Sequence, residues 1–288
     1  MVRDPLAQAA STVTTAIDAS RNAGERGGGR PAVLPLDDER ARESALAGAK
    51  AAALARAKAS GLPVLPGFVI VTTAAGEIEG RGWEGATADQ VRGTWSDLSH
   101  NGSRPLVVRS SSTVEDRQKS SMAGRFTSVI GAQDWDHFQQ AVDEVLASRR
   151  DAARGEGSTE LDQPLAVLVQ PVLEARTSGV MFGVDPVSGR SDTLVVTAVA
   201  GAPDKLVSGA VEGTRYELHP TGSQRSRRTG TAGARLRRRE LRSLARLAAD
   251  VAGTFGGPQD VEWAIDGQGH LWLLQSRPVT TEERGVPS

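Results

Sequence analysis

Near the C-terminus, PQDVEWAIDGQGHLWLLQSRP places polar residues at alternate positions on two apolar runs. Asp260 and Glu262 lie on the first run, Gln275 and Arg277 on the second. Two such runs joined across Gly267 to His270 predict a β-hairpin in which Asp260 faces Arg277 and Glu262 faces Gln275. Alternation then brings all four side chains out on one face and sends Val261, Trp263 and Ile265 to the other, against Trp272 and Leu274. A slip of one residue would scatter the patch. Hard cations such as Mg²⁺ take oxygen donors, commonly one or two carboxylates completed by substrate phosphates. Arginine answers phosphate with a planar pair of N–H donors. The chemistry suggested is metal–nucleotide handling. A solvated sheet face with cross-strand pairs, worth roughly 0.2–1 kcal/mol each, accounts for the same spacing.

A phosphate site needs further positive groups and close backbone approach. Arg109 in VVRSSS stands at the expected end of a strand, where function often resides; a surface arginine beside turn residues is the plain alternative. SSMAGRF offers Ser120, Ser121, Ala123 and Gly124, small residues whose amides can approach an anion, although an ordinary turn has the same composition. Lys50, in LAGAKAAAL, lies near a predicted helix start among small residues, where a solvated lysine is the other reading. LAVLVQPVLE reads as a core strand or as an edge strand with a connector, Gln170 to Leu173, able to hold a base by backbone groups. The arginines from Arg225 to Arg246 read as a solvated loop and helix, without the aromatic interleaving of a nucleic-acid surface.

Other chemistries lack their residues. No G-x-x-x-x-G-K-[ST] loop and no G-x-S-x-G elbow occurs. The four histidines, His100, His137, His219 and His270, have no zinc-site spacing. Cysteine is absent, which excludes disulfides and thiol catalysis and suits a reducing cytosol.

The elements that must position these residues are legible in outline. The chain has 288 residues, 39% of them hydrophobic, enough for one large domain or two lobes. A net charge of -1 gives no overall pull toward nucleic acid or membrane. No apolar run is long enough to span a bilayer and no signal peptide is evident, so a cytoplasmic location is expected. Residues 1–32 read as a flexible tail, with one weak helical stretch from Leu6 to Ile17, and 283–288 as a second tail. Between them, ARESALAGAKAAALARAKAS predicts an alanine-rich helix stopped by Gly61. LPVLPGFVIVTT feeds a buried strand, and DWDHFQQAVDEVLASRR is helical with Phe138, Val142, Val145 and Leu146 on one stripe. PLAVLVQPVLE, SGVMFGVDP, TLVVTAVAG and KLVSGAVEGTRYELH are strand-like. A last helix carries Leu241, Leu244, Ala248 and Val251 and is expected to end at Gly253. Strands and helices in this loose alternation predict an α+β (α/β two-lobed) protein.

In combination these segments resemble a known family. GAKAAALARAKASGLPVLPGFVIVTT, VVRSSSTVEDRQKSSMAGRF, LAVLVQPVLEARTSGVMFGVDPVSG, LVSGAVEGTRYEL and FGGPQDVEWAIDGQGHLWLLQSRPVT are similar, in order, to blocks of the ATP-binding domain of dikinase-type enzymes. These include pyruvate phosphate dikinase, phosphoenolpyruvate synthase and rifampin phosphotransferase. The resemblance runs from about Val33 to Thr281 and implies one bilobal domain over 33–282 with an ATP-grasp-like fold, nucleotide and Mg²⁺ lying between its lobes. It makes Lys50, Arg109 and Arg277 phosphate-binding catalytic residues and places Ser121 and Gly124 in the phosphate-covering loop. Gln170, Val172 and Leu173 fall at the adenine connector, Glu262 and Gln275 become metal ligands, and Asp260 a nucleotide-site acid. Two departures stand out: Gly48-Ala49 replaces a Gly-Gly pair, and Gly201-Ala202-Pro203-Asp204 replaces a Gly-Leu-Gly-Glu turn. The block around the phosphoryl-carrying histidine of these enzymes has no counterpart here. The resemblance therefore implies an acceptor supplied in trans, by a separate histidine-domain protein or a small molecule; a stand-alone small-molecule kinase or ATP-dependent ligase and a non-catalytic ATP-binding module are the alternatives.

Overall fold

LAVLVQP is apolar or covered at every position, as a strand in the middle of a sheet with both faces packed must be. In the computed structural model, which describes residues 30–113, 128–154, 164–183, 192–202, 206 and 211–279, this strand is buried along its whole length. It lies at the centre of the first of two units into which the chain divides, Met1–Ala59 with Leu65–Val172. The strands there are β1 (Val33–Pro35), β2 (Phe68–Ile70), β3 (Leu106–Ser112), β4 (Ser128–Ala132) and β5 (Leu165–Pro171), all antiparallel in the order β1-β2-β5-β3-β4. Four helices accompany them: α1 (Ser44–Ala59), α2 (Thr72–Arg81), α3 (Gly85–Ser99) and α4 (Trp135–Arg154). On α4 the expected stripe of Phe138, Val142, Val145 and Leu146 is buried. Phe138 also closes an aromatic cluster with Trp83, Trp95 and Trp135.

The alanine-rich helix is α1, and its small side chains allow it to be buried along most of its length. It is broken once. Gly48 has φ 72° and ψ 167°, a region open only to glycine, and a Cβ there would run into the carbonyl of Ser111. The break opens a new helical start at Ala49–Ala51, and the Ala51 N–H donates to the Ser111 hydroxyl at 3.0 Å. A serine on β3 thus caps a helix some sixty positions earlier in the chain. The far end of α1 falls before Gly61, as expected.

The second unit, Ser60–Val64 with Leu173–Ser288, holds a six-stranded antiparallel sheet. Its strands are β6 (Ala175–Phe182), β7 (Leu194–Ala200), β8 (Thr214–Leu218), β9 (Gln224–Arg228), β10 (Gln259–Asp266) and β11 (Leu271–Pro278), in the order β11-β10-β6-β7-β8-β9. Residues 60–64 support β11: Val64 bridges Leu273, whose N–H donates to the Pro63 carbonyl at 2.8 Å. Gly179 on β6 leaves room for the Trp263 ring, which a side chain there would meet. Helix α5 (Arg238–Phe255) buries Leu241, Leu244 and Val251, with Ala248 at the margin.

Two expectations are corrected. Helix α5 runs through Gly253 and ends on Gly256, whose φ of 77° permits the Gly257 N–H to reach the Ala252 carbonyl at 3.0 Å. QRSRR is a strand, β9, although nothing in it alternates; as the last strand of the sheet it is exposed throughout and had no apolar face to reveal. The span expected as one bilobal domain divides into two compact units after Val172, which leaves that expectation standing. The proposed tail helix from Leu6 to Ile17 and the C-terminal tail lie outside the described residues. Among the described residues no helix is long and apolar enough to cross a membrane.

The close approach at Gly48 generates a paired expectation. Gly48→Ala adds a steric overlap to backbone strain, each on the order of 1–3 kcal/mol. Gly61→Ala, at φ 78° with open space around it, adds strain alone. Thermal unfolding should show the larger fall in Tm for Gly48→Ala; equal falls would remove the packing argument.

Candidate functional site

In the hairpin of β10 and β11, Asp260 pairs with Arg277 and Glu262 with Gln275, the register expected from the sequence. The Arg277 guanidinium donates to Asp260 Oδ2 at 3.2 Å. Glu262 and Gln275 are only 7% and 8% exposed, which sets them apart from a solvated sheet face. Beyond this patch the register shifts by one residue at a bulge, so that Trp263 pairs with Leu273 and Ile265 with Leu271. The expected partners, Trp272 and Leu274, are therefore replaced by Leu271 and Leu273. The extra residue turns the strand over, drives Leu273 into the core and frees the Trp272 indole.

That indole is held by Asp266, which ties the turn together. Asp266 Oδ1 accepts the N–H groups of Gln268 and His270, both at 2.9 Å. Its Oδ2 accepts Trp272 Nε1–H at 3.1 Å and lies 3.1 Å from His270 Nδ1. Burial pushes this carboxyl up, but the hydrogen bonds from Trp272 and from the backbone and ring of His270 together hold it below the ordinary range.

Asp260 behaves in the opposite sense. Burial raises its pKa most, Arg277 draws it down and Glu262 pushes it up, with a net rise above 3.8. Its Oδ1 is buried without a hydrogen-bond partner. A buried carboxylate oxygen without a donor, beside a carboxylate and an amide oxygen on rigid neighbouring strands, is a donor set that a hard divalent cation fits. Among the described residues no three carboxylates or histidines converge, so an Mg²⁺ held here would draw its remaining ligands from phosphate and water.

In the first unit, Lys50 stands at the helical start created by Gly48, and its Nζ donates to the Ser110 carbonyl at 3.2 Å. Arg109 lies in the middle of β3, paired with Leu168 and Ser128, rather than at a strand end. The serines that look like a turn continue the strand because each pairs with β5, Ser110 with Val167 through Ser112 with Leu165. Alternation puts Arg109 on the same face as Ser111, the residue that caps α1. The Arg109 Nε is buried with no partner among the described residues. An unmatched guanidinium N–H beside a helix start suits an anion.

Gln170 is buried in β5 and its amide donates to the Leu65 carbonyl at 3.3 Å. The Val172 N–H is taken by the Pro105 carbonyl at 3.0 Å, and the Leu173 carbonyl accepts Ala175 N–H at 2.9 Å. Ser120, Ser121, Ala123 and Gly124 lie outside the described residues, as do Pro203 and Asp204. Ser111 and Asp266 are the positioning residues that sequence reading missed. A serine inside a strand and an aspartate four residues before a histidine were the only signals.

Residues 83–233 and 220–287 match the family of the pyruvate phosphate dikinase AMP/ATP-binding domain. The chain belongs to that family, the one its sequence motifs resemble. Among curated proteins it is 28% identical to the prodigiosin synthesizing transferase PigC of Serratia marcescens, over 88% of this chain and 34% of that protein. It is 31% identical to the rifampicin phosphotransferase of a Streptomyces species, over 64% of this chain and 24% of the relative. With the phosphoenolpyruvate synthase of Escherichia coli the identity is 29%, over 68% and 30% respectively. The chain thus spans about a third or less of these relatives. Solved structures similar to it include an L-amino acid ligase from Bacillus licheniformis, with TM-score 0.40, 13% identity and coverage of 78% of this chain and 41% of that one. PH1788 from Pyrococcus horikoshii has TM-score 0.42, 14% identity and coverage of 93% and 97%.

The raised pKa of Asp260 gives a signed expectation. Between 3.8 and the higher folded value the native state holds more protons than the unfolded chain, so this group's contribution falls as pH rises through that window. Asp260→Asn should therefore raise Tm at neutral pH, and the gain should shrink as the wild-type carboxyl becomes protonated in acid. A gain that grows toward low pH would contradict the burial account.

Proposed function

We propose that the chain binds Mg-ATP in an ATP-grasp-like fold and passes a phosphoryl group to an acceptor supplied in trans. The acceptor is a histidine on a separate protein, which takes the β-phosphoryl group, while the γ-phosphoryl group passes to water as inorganic phosphate and AMP is the final nucleotide product. The observation that carries the reading is the pairing of Asp260 with Arg277 and of Glu262 with Gln275, within a segment that matches an AMP/ATP-binding family. Glu262 and Gln275 would hold Mg²⁺, which when bound neutralises phosphate charge and orients the oxygens. Arg277 would contact phosphate while Asp260 fixes its guanidinium. Lys50 and Arg109 would bind further phosphate oxygens, with Ser121 and Gly124 covering them and Gln170, Val172 and Leu173 near the base. None of these residues needs to form a covalent bond; catalysis would rest on positioning and charge neutralisation. A relative named for rifampicin phosphotransfer and another for phosphoenolpyruvate synthesis favour phosphoryl transfer.

A second reading is a kinase or ATP-dependent ligase that acts directly on a small molecule. The relative named for synthesis of prodigiosin, aligned over 88% of this chain, favours it.

Phosphorus NMR of Mg-ATP with the protein, with and without a histidine-domain partner, separates the two. Partner-dependent AMP formation supports transfer in trans, whereas ADP with a modified small molecule supports direct action. Lys50→Ala and Arg277→Ala should each lower turnover by at least about a hundredfold, the usual scale for losing a preorganised charge contact, while far-UV circular dichroism stays unchanged. Wild-type turnover in both variants would reject the site.

A further inference from the structure

Between Gln224 and Arg246 the chain carries nine arginines and one acid, although its net charge is -1. The fold gathers part of this charge around one cavity of the second unit, with a volume of about 810 Å³. Its walls are residues 224–227 of the edge strand β9, the lead-in segment 235–237, and Arg238 and Leu241 from the first turn of α5. Five of these residues are arginines and none is acidic.

The charges are not cancelled locally. Arg225 alone is paired, its Nη2 with Asp192 Oδ2 at 3.0 Å and its Nη1 with Thr193 Oγ1 at 3.1 Å. The one acid of the stretch, Glu240, is 5% exposed and engaged elsewhere. Its Oε1 pairs with Arg176 at 2.8 Å and its Oε2 accepts the Arg237 N–H at 2.7 Å. The guanidinium groups of Arg227, Arg235, Arg237 and Arg238 make no ion pair or hydrogen bond among the described residues. Arg238 and Arg239 also open an 18-residue helix, where the backbone already presents positive charge and favours acids over bases. Such an arrangement is unfavourable for the empty protein and favourable for an anion, since a concave surface of one sign concentrates the field.

We propose that this cavity is a binding site for a small molecule bearing two or more phosphate groups. Its size is that of a small-molecule pocket. Guanidinium matches phosphate oxygens in pairs, and four uncompensated cations call for a multiply charged ligand. A single-stranded nucleic acid would be expected to find aromatic stacking platforms, and no aromatic residue lines the cavity. Leu236 and Leu241 give it an apolar floor. None of its residues belongs to the set assigned above to Mg-ATP, so the inference stands independently of that reading.

The test is isothermal titration of the full chain with inorganic tripolyphosphate in EDTA, alone and with ATP at saturation. The wild-type protein should bind tripolyphosphate at this cavity, and added salt should weaken it. The triple variant Arg227→Ser, Arg235→Ser, Arg238→Ser should bind tripolyphosphate at least about tenfold more weakly, with Tm and ATP affinity unchanged. Undiminished binding by the triple variant, or a loss of its ATP affinity in step with its tripolyphosphate affinity, overturns the assignment. Tighter binding of a single-stranded oligonucleotide through the same arginines would transfer the surface to nucleic acid and overturn it as well.

Discussion

The carboxylate of Asp266 takes hydrogen bonds from two backbone amides and an indole and meets an imidazole, all within the six residues that follow it. By closing the turn in one geometry it helps set how β11 returns along β10. The bulge beside Leu274 then absorbs one residue between the turn and the patch. Both features are needed for Glu262 to meet Gln275 and Asp260 to meet Arg277. Without them the same side chains would alternate out of step, with acids against the core and leucines in solvent. Against the effect of burial, hydrogen bonds from Trp272 and His270 lower the pKa of Asp266, which favours the charged carboxylate that holds this knot.

Around that register the hairpin divides its labour by face. Val261, Trp263, Ile265 and Leu273 are buried, and Gly179 on the neighbouring strand makes room for the largest of them. The opposite face carries an acid raised by burial, a second buried acid, an amide and a guanidinium. Placing a half-buried and a buried carboxylate at alternate positions of one strand is costly for stability. Asp260 Oδ1 is left there buried and without a hydrogen-bond partner among the described residues.

The first unit reaches a similar end through backbone geometry. Gly48 breaks α1 where it meets β3, Ser111 caps the resulting start, and Lys50 and Arg109 stand beside it. The cap and the cation are brought together by a contact far apart in sequence, and neither α1 nor β3 alone announces it. Gly48 followed by alanine, in place of two glycines, retains the residue whose φ the break requires.

Much was legible in the chain because it depends on local periodicity. The alternation in PQDVEWA and LLQSRP determined which four polar residues share a face, the spacing of Phe138, Val142, Val145 and Leu146 determined a helix and its buried stripe, and continuous apolarity marked β5 as central. Tertiary structure alone decided the rest. The bulge that exchanges Leu274 for Leu273 arises from pairing across the hairpin. The strand QRSRR exists because β8 offers an edge, not because its own residues alternate. The serines after Arg109 extend a strand because β5 completes their hydrogen bonds, and Gly253 stays helical because the left-handed cap that ends α5 falls at Gly256. Periodicity is written into neighbouring residues, whereas edges, bulges and caps are settled by partners that the chain meets only after it has folded.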